Sequence, residues 1–272
     1  MAPLRSYWHP LPGAPTEDVP GKLIVLEGTD GVGRSTQIEM LKRWLESLGL
    51  AVFDTGLTRS NLAGRDLQSA KEGHTMGAVT QALYYATDFA DRLENEMVPA
   101  LRAGYIVLTD RYIYSLIARA VVRGADPAWM KHVYGLAVVP DLVLYLQADL
   151  PTLVPRVLAR GGFDYWESGA DYIHAESRYD CFVQHQQALL KAFETMSEQY
   201  GFVVVDANRP VRVVFQDLRA HIVRLVEGMT PPESGLEGIP EDIPTPRPLE
   251  TERSSRSIAD IIADLLGALK DE

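Results

Sequence analysis

The chain has 272 residues, 46% hydrophobic and 23% charged, and a formal net charge of -11. That length and balance suit one large α/β domain with extensions, or two small domains. The acidic balance speaks against a broad nucleic-acid or anionic-membrane surface, while leaving room for one local basic cleft.

Residues 1–21 are rich in proline and read as an N-terminal extension, with Tyr7, Trp8 and His9 in an extended strap along the surface. "KLIVLE" at 22–27 is a β-branched apolar run that reads as a buried strand. "GTDGVGRST" at 28–36 follows it, and then Ile38, Leu41, Leu45 and Leu48 recur at helical spacing until Gly49. "LAVF" at 50–53 is expected to be the second strand and "YIVLTD" at 105–110 the third. "DLVLYL" at 141–146 is the fourth and "GFVVVD" at 201–206 the fifth. Helical patterns fill the gaps, a long one over 78–103 and another over 172–200. Strands alternating with helices predict a five-stranded parallel sheet covered on both faces, a three-layer P-loop NTPase fold within residues 22–228. Glu27, Asp110 and Asp206 end three of the strands, where ligands of such sheets bind.

Residues 229–257 break the pattern with a proline-rich acidic linker, and residues 258–272 form an amphipathic helix. Ser257 and Asp260 make a capping box for that helix. It packs on its own domain or docks a protein partner. The one cysteine, Cys181, excludes an internal disulfide, points to a reducing compartment and reads as a structural thiol. No apolar run is long enough to cross a bilayer, and the proline-rich start is no secretory signal, so the expectation is a cytoplasmic protein without a membrane anchor.

The loop carries the chemistry. Its spacing is that of G-x-x-x-x-G-K-[ST], with Arg34 at the lysine position. Gly28, Thr29, Asp30, Gly31, Val32, Gly33, Arg34, Ser35 and Thr36 are the expected cradle for ATP phosphates, aided by the positive end of the following helix. Ser35 supplies the hydroxyl for Mg²⁺. Arg34 is a planar fork where lysine is a point charge, so its grip on the phosphates differs in geometry.

From 22 to 225 the chain resembles the thymidylate kinase family, P-loop enzymes that move the γ-phosphate of ATP to dTMP. The resemblance rests on "IVLEGTDGVGRSTQ", "MVPALRAGYIVLTDRY", "TDRYIYSLIARA" with its Asp-Arg-Tyr and later serine, and "LARGGFDYWE" in the place of a mobile lid, residues 160–170. It implies that Asp110 holds Mg²⁺ with Ser35, and that Asp30 lies near the acceptor. It implies that Arg111 bridges donor and acceptor phosphates and that Ser115 belongs to the acceptor site. Arg160, one helical turn beyond Arg156, is the candidate lid arginine, because Gly31 leaves the loop without the arginine some relatives carry there. Asp164 and Glu167 match the family's lid acids, and Tyr165 stands where an arginine is common. Relatives are homodimers, which implies the same here.

The acceptor side departs from the family. Thr-Arg-Glu-Pro becomes "TRSN", keeping Arg59 as a candidate for the acceptor phosphate. Phe-x-Ala-x-Arg becomes "YATDF", which keeps the stacking face in Tyr85 but puts Phe89 where an arginine reads the base. A phenyl ring donates no hydrogen bond. Arg119 stands where a tyrosine closes over the deoxyribose. Three readings stay open: a kinase for dTMP or a related nucleotide; a nucleotide binder with little turnover that acts through a partner; and a kinase for a non-nucleotide acceptor held by Tyr84, Tyr85, Phe89 and Trp129.

Overall fold

The computed structural model describes residues 2–229, except 14–17, 65, 67, 68 and 71–75. Residues 1–233 form one compact unit. The C-terminal helix over 258–272, its capping box and the linker from residue 230 lie outside the described residues.

The main sheet contains β3 (Lys22–Gly28), β4 (Val52–Gly56), β5 (Ile106–Asp110), β6 (Leu142–Gln147) and β7 (Val203–Asp206). Its order is β4-β5-β3-β6-β7, and every pair is parallel. Strand β3 lies in the centre, and its alternation sorts the core into two layers. Leu23 and Val25 pack with Phe89, Leu93, Ile113, Tyr114 and Phe193 on one face. Ile24 and Leu26 pack with Ile38, Leu41, Leu45, Leu218 and Ile222 on the other. A strand buried on both faces must be apolar at odd and even positions alike, which is why "KLIVL" shows no polar alternation. The two layers are built by the Ala78–Arg92, Ile113–Val121 and Arg178–Tyr200 helices on one side and the Arg34–Ser47 and Val211–Val226 helices on the other.

Element boundaries differ from the sequence expectation by a residue or two in the third, fourth and fifth strands, the fifth starting at Val203, and more tellingly in three other elements. The second strand begins at Val52, because Leu50 is used to close the preceding helix: its amide donates to Leu45 O at 3.2 Å, beside Gly49 at φ 81. The helix expected over 172–200 starts at Arg178, where the Ser177 hydroxyl accepts from Asp180 N at 3.1 Å. The helix expected over 78–103 runs from Ala78 to Arg102 but contains a π-helical turn at Leu93–Met97.

The N-terminal strap is part of the fold. β1 (Ala2–Pro3) pairs antiparallel with β2 (Asp18–Val19), and Ser6 bridges to Val138. The Tyr7 ring stacks on Trp8 at 5.1 Å and meets Tyr200 edge-on at 5.6 Å, and its hydroxyl bonds that of Tyr114. His9 lies beside His132 with ring centroids 5.7 Å apart, and its ring closes over Gly135. Tyr7→Ala is therefore expected to destabilise the protein by about 3 kcal/mol, the scale of a partly buried aromatic truncation. Calorimetry should register this as a fall in Tm of about 6–12 °C.

Candidate active site

The phosphate loop occupies the carboxyl end of β3. The Arg34–Ser47 helix begins at its far side with Gly33 at φ 100 as N-cap and no side-chain cap, so its first-turn amides have no partner within the helix. A helix end of this kind favours an anion. Gly31 adopts φ 82, and a Cβ there would come within 2.7 Å of Val157 Cγ2. Packing against the Leu150–Ala159 helix thus keeps a side chain out of the position where some relatives carry an arginine.

Arg34 turns inward. Its Nη1 donates to Thr29 O at 2.5 Å and to Gly28 O, and its Nε donates to Asp110 Oδ1 at 2.7 Å. Only 6% of it is exposed. A lysine presents its three donors from one nitrogen, whereas the fork reaches both loop carbonyls through Nη1 and the carboxylate through the separate Nε. Burial lowers the Arg34 pKa, and neighbouring Arg111 adds to this, while Asp110 and Asp30 oppose it. Ser35 Oγ donates to Asp110 Oδ2 at 3.1 Å. Burial would raise the Asp110 carboxyl, but Arg34 and Arg111 hold it below its ordinary value. An ionised carboxylate and a hydroxyl, both hard oxygen donors, fit Mg²⁺, which takes one or two protein oxygens and fills its shell with water and phosphate. Among the described residues no group of three or more acidic, histidine or cysteine side chains could hold a metal on its own.

Arg111 follows Asp110 with φ 72, a left-handed conformation rare for a non-glycine residue and a place where strain collects at functional sites. Its amide donates to Leu26 O at 2.9 Å and its carbonyl accepts from Thr109 Oγ1 at 2.7 Å, which hold the turn. The turn carries the guanidinium to Asp30, and the Arg119 Nη2 reaches the other oxygen of Asp30 at 2.5 Å. Asp30 is fully buried; burial would raise its pKa, but Arg119, Arg111 and Arg34 together hold it far below the carboxylate range.

Asp30, Arg111 and Arg119 form the polar end of a cavity of about 120 Å³. Its apolar wall includes Leu57, Ala82, Tyr85, Leu116 and Tyr134, and Trp166 and Glu167, from the segment expected to be a lid, line it as well. That segment is held from behind. Arg123 grips both oxygens of Asp171 at 2.7 and 2.9 Å, donates to Trp166 O at 2.9 Å, and lies 5.2 Å over the Tyr172 ring. Tyr172 bonds His185 Nδ1 at 2.8 Å. Burial, with Arg123 and Arg119 nearby, holds His185 at about 3, so this histidine is neutral. Asp164 accepts from the Trp166 and Glu167 amides at 2.8 and 3.1 Å, and Arg160 pairs with Glu167 at the lid mouth.

Several expected acceptor residues stand elsewhere. Phe89 packs in the core, edge-on to Tyr112 and Tyr134 at 5.2 and 5.7 Å, because its helix turns that position toward the sheet. Ser115 gives its hydroxyl to Glu27 at 2.5 Å and is buried, so it serves the strand end and does not line the cavity. Glu27 also accepts from the Tyr112 and Ser115 amides at 2.8 and 3.2 Å; burial raises its pKa against these bonds. Arg59 pairs with Asp54 at 3.3 Å and is half-exposed. Of Tyr84, Tyr85, Phe89 and Trp129, only Tyr85 lines the cavity, so the four build no shared aromatic site. The structure adds Asp88, whose carboxylate accepts from the Thr58 and Ser60 amides at 3.1 and 3.0 Å and from Arg92 Nε at 3.1 Å, fixing the "TRSN" turn.

A parallel sheet in this order, with a glycine loop at its central strand and an arginine-lined cavity beside it, defines a P-loop phosphotransferase of the nucleoside monophosphate kinase class. The thymidylate kinase family model matches residues 26–218, and the chain belongs to that family. It is 32% identical over 201 residues to a probable thymidylate kinase 2 of Saccharolobus solfataricus, covering 73% of this chain and 94% of that protein. It is 33% identical over 211 residues to the thymidylate kinase of Leifsonia xyli, covering 75% and 95%. It is 34% identical over 207 residues to that of Clavibacter sepedonicus, covering 74% and 93%.

Proposed function

We propose that the protein transfers the γ-phosphoryl group of ATP to a nucleoside monophosphate, with dTMP as the preferred acceptor and Mg²⁺ as the metal. The observation that carries this reading is the adjacency of Asp110 and Arg111. Asp110 touches Arg34 and Ser35 on the loop side, and Arg111 turns to Asp30 on the cavity side. Two neighbouring residues thus join a donor site to an acceptor site.

The acceptor's phosphate is already an anion at neutral pH, so the protein needs no general base for it. Its task is alignment and charge neutralisation. Arg111 supplies a cation at the junction of the two sites, and Asp30 holds that guanidinium in place. Arg34 braces the loop through the Gly28 and Thr29 carbonyls. Ser35 and Asp110 would hold Mg²⁺, which supplies charge neutralisation on the phosphate oxygens when bound. The lid, with Arg160 and Glu167 at its mouth, excludes water that would compete as acceptor.

Arg34's commitment to loop carbonyls favours a second reading, a nucleotide binder with little turnover. A coupled ADP-release assay with Mg-ATP and a panel of monophosphates separates the two. Turnover with dTMP ahead of dCMP, dGMP and dAMP is the expected result. ATP affinity without acceptor-dependent ADP release would favour the binder and end the kinase reading. The cytoplasm is the proposed location, supported by the lone cysteine and by the lack, among the described residues, of a helix long and apolar enough to cross a membrane. A homodimer is proposed too, supported by Val79 and Leu83, exposed one turn apart on the Ala78–Arg92 helix.

A further inference from the structure

The base end of the acceptor cavity poses a problem of polar recognition. Phe89 brings no hydrogen-bond donor, and it is turned into the core. Yet the ring packed edge-on against it, Tyr134, lines the cavity, is 1% exposed, and has a buried hydroxyl with no hydrogen-bond partner among the described residues. The Arg92 guanidinium lies 6.0 Å from the Phe89 ring centroid, and its Nη2 is also buried without a partner among the described residues. Buried polar groups are nearly always paired, and an orphan at a cavity wall marks a partner that arrives with the ligand. Gln81 stands one helical turn before Tyr85 and lines the same cavity, half-buried. Its amide both donates and accepts. Around these groups the wall is small and apolar, with Ala78, Ala82 and Leu57.

We propose that Tyr134, with Gln81 beside it, reads the acceptor's base, donating its hydroxyl proton to a ring carbonyl of a pyrimidine. This rests on the nucleotide kinase reading and names groups that hold its base. A phenol hydroxyl both donates and accepts, and thymine and cytosine share the C2 carbonyl, so the bond adds affinity for a pyrimidine acceptor and does not by itself separate a C4 carbonyl from a C4 amine. The amide of Gln81 complements a neighbouring ring N–H or carbonyl. The alanine wall accommodates a ring methyl. Tyr134 is not placed to touch the transferring phosphoryl group, so its effect falls on acceptor affinity.

The test is Tyr134→Phe in the full chain, with Gln81→Leu as the companion variant. Calorimetric titration of dTMP and dCMP reads affinity without requiring turnover, and steady-state assays with Mg-ATP read KM and kcat. For Tyr134→Phe the expected result is dTMP binding and KM weakened about 10- to 100-fold, with kcat within about threefold of the parent. dCMP binding should weaken by a similar factor. The ligand-free Tm should stay level or rise, because the hydroxyl removed has no partner among the described residues; a hydroxyl that only supported structure would lower it. Gln81→Leu should weaken dTMP binding in the same sense. Unchanged dTMP affinity in Tyr134→Phe overturns the inference, and so does a variant that fails to fold. A parent protein that binds dTMP through Tyr134 but transfers no phosphate would sink the kinase reading and leave this one standing.

Discussion

Asp110→Asn should cut kcat by about 10³-fold, or about 4 kcal/mol of transition-state stabilisation, while far-ultraviolet circular dichroism and gel-filtration behaviour stay those of the parent. Asparagine keeps the shape of the side chain; its Oδ1 can still accept from Arg34 Nε, and its Nδ2 can donate to Ser35 Oγ. What it lacks is the charge that balances Arg34 and that would hold Mg²⁺. The loss should therefore appear chiefly in kcat, with a raised Mg²⁺ requirement, and only modestly in ATP affinity. Because Arg34 and Arg111 hold the Asp110 pKa below its ordinary value against burial, the parent's rate should show no titration of this group above pH 5. Steady-state kinetics across Mg²⁺ concentration check both points. A variant within tenfold of the parent would remove Asp110 from the reaction.

Asp30→Asn carries the largest expected pH-dependent effect on stability. The buried carboxylate receives Arg111 and Arg119, with Arg34 Nη2 at 3.9 Å, so the substitution leaves the Arg111 and Arg119 guanidinia crowded without their ion-pair partner, while Arg34 keeps Asp110. Breaking a buried pair from one side costs about 3–5 kcal/mol, and the partial exposure of Arg111 and Arg119 puts this case near the lower figure. The sign with pH follows from the depressed pKa in the folded state. The stabilisation is complete above the unfolded value of about 3.9 and drains as pH falls below it. Chemical unfolding should show a gap of about 3 kcal/mol between parent and variant at pH 7, narrowing by about 1 kcal/mol at pH 3. An equal gap at both pH values would mean that the aspartate contributes by packing and not by charge.

The sheet was readable because each strand is a compact apolar run after a turn, and the loop because its glycines, Ser35 and Thr36 occupy fixed offsets. Strand β4 was misplaced by two residues because Leu50 looks like strand and works as a helix stop. The acceptor side was less legible. Spacing places Phe89 on the same helix as Tyr85 but does not say which way each faces, and four residues in a helix rotate a side chain by 40° from eclipse. Asp88 and Arg92 carried a usable signal, an acid–base pair at i,i+4 spacing on a helical pattern. Arg123 also recurs four residues after Arg119, yet its partner Asp171 lies 48 residues away in a loop, which no local pattern reveals. Tyr134 was silent, since an orphaned hydroxyl is a property of its surroundings.

The wide turn at Leu93–Met97 has a consequence for how such a protein can change. It takes up about one residue more than an α-helical turn would between the stretch bearing Gln81 and Tyr85 and the stretch bearing Val98 and Leu101, which packs against the sheet. Losing one residue there would close the rod into regular α-helix and leave the faces on either side near their present phase. The joint can thus shed a residue while Gln81 and Tyr85 keep facing the cavity.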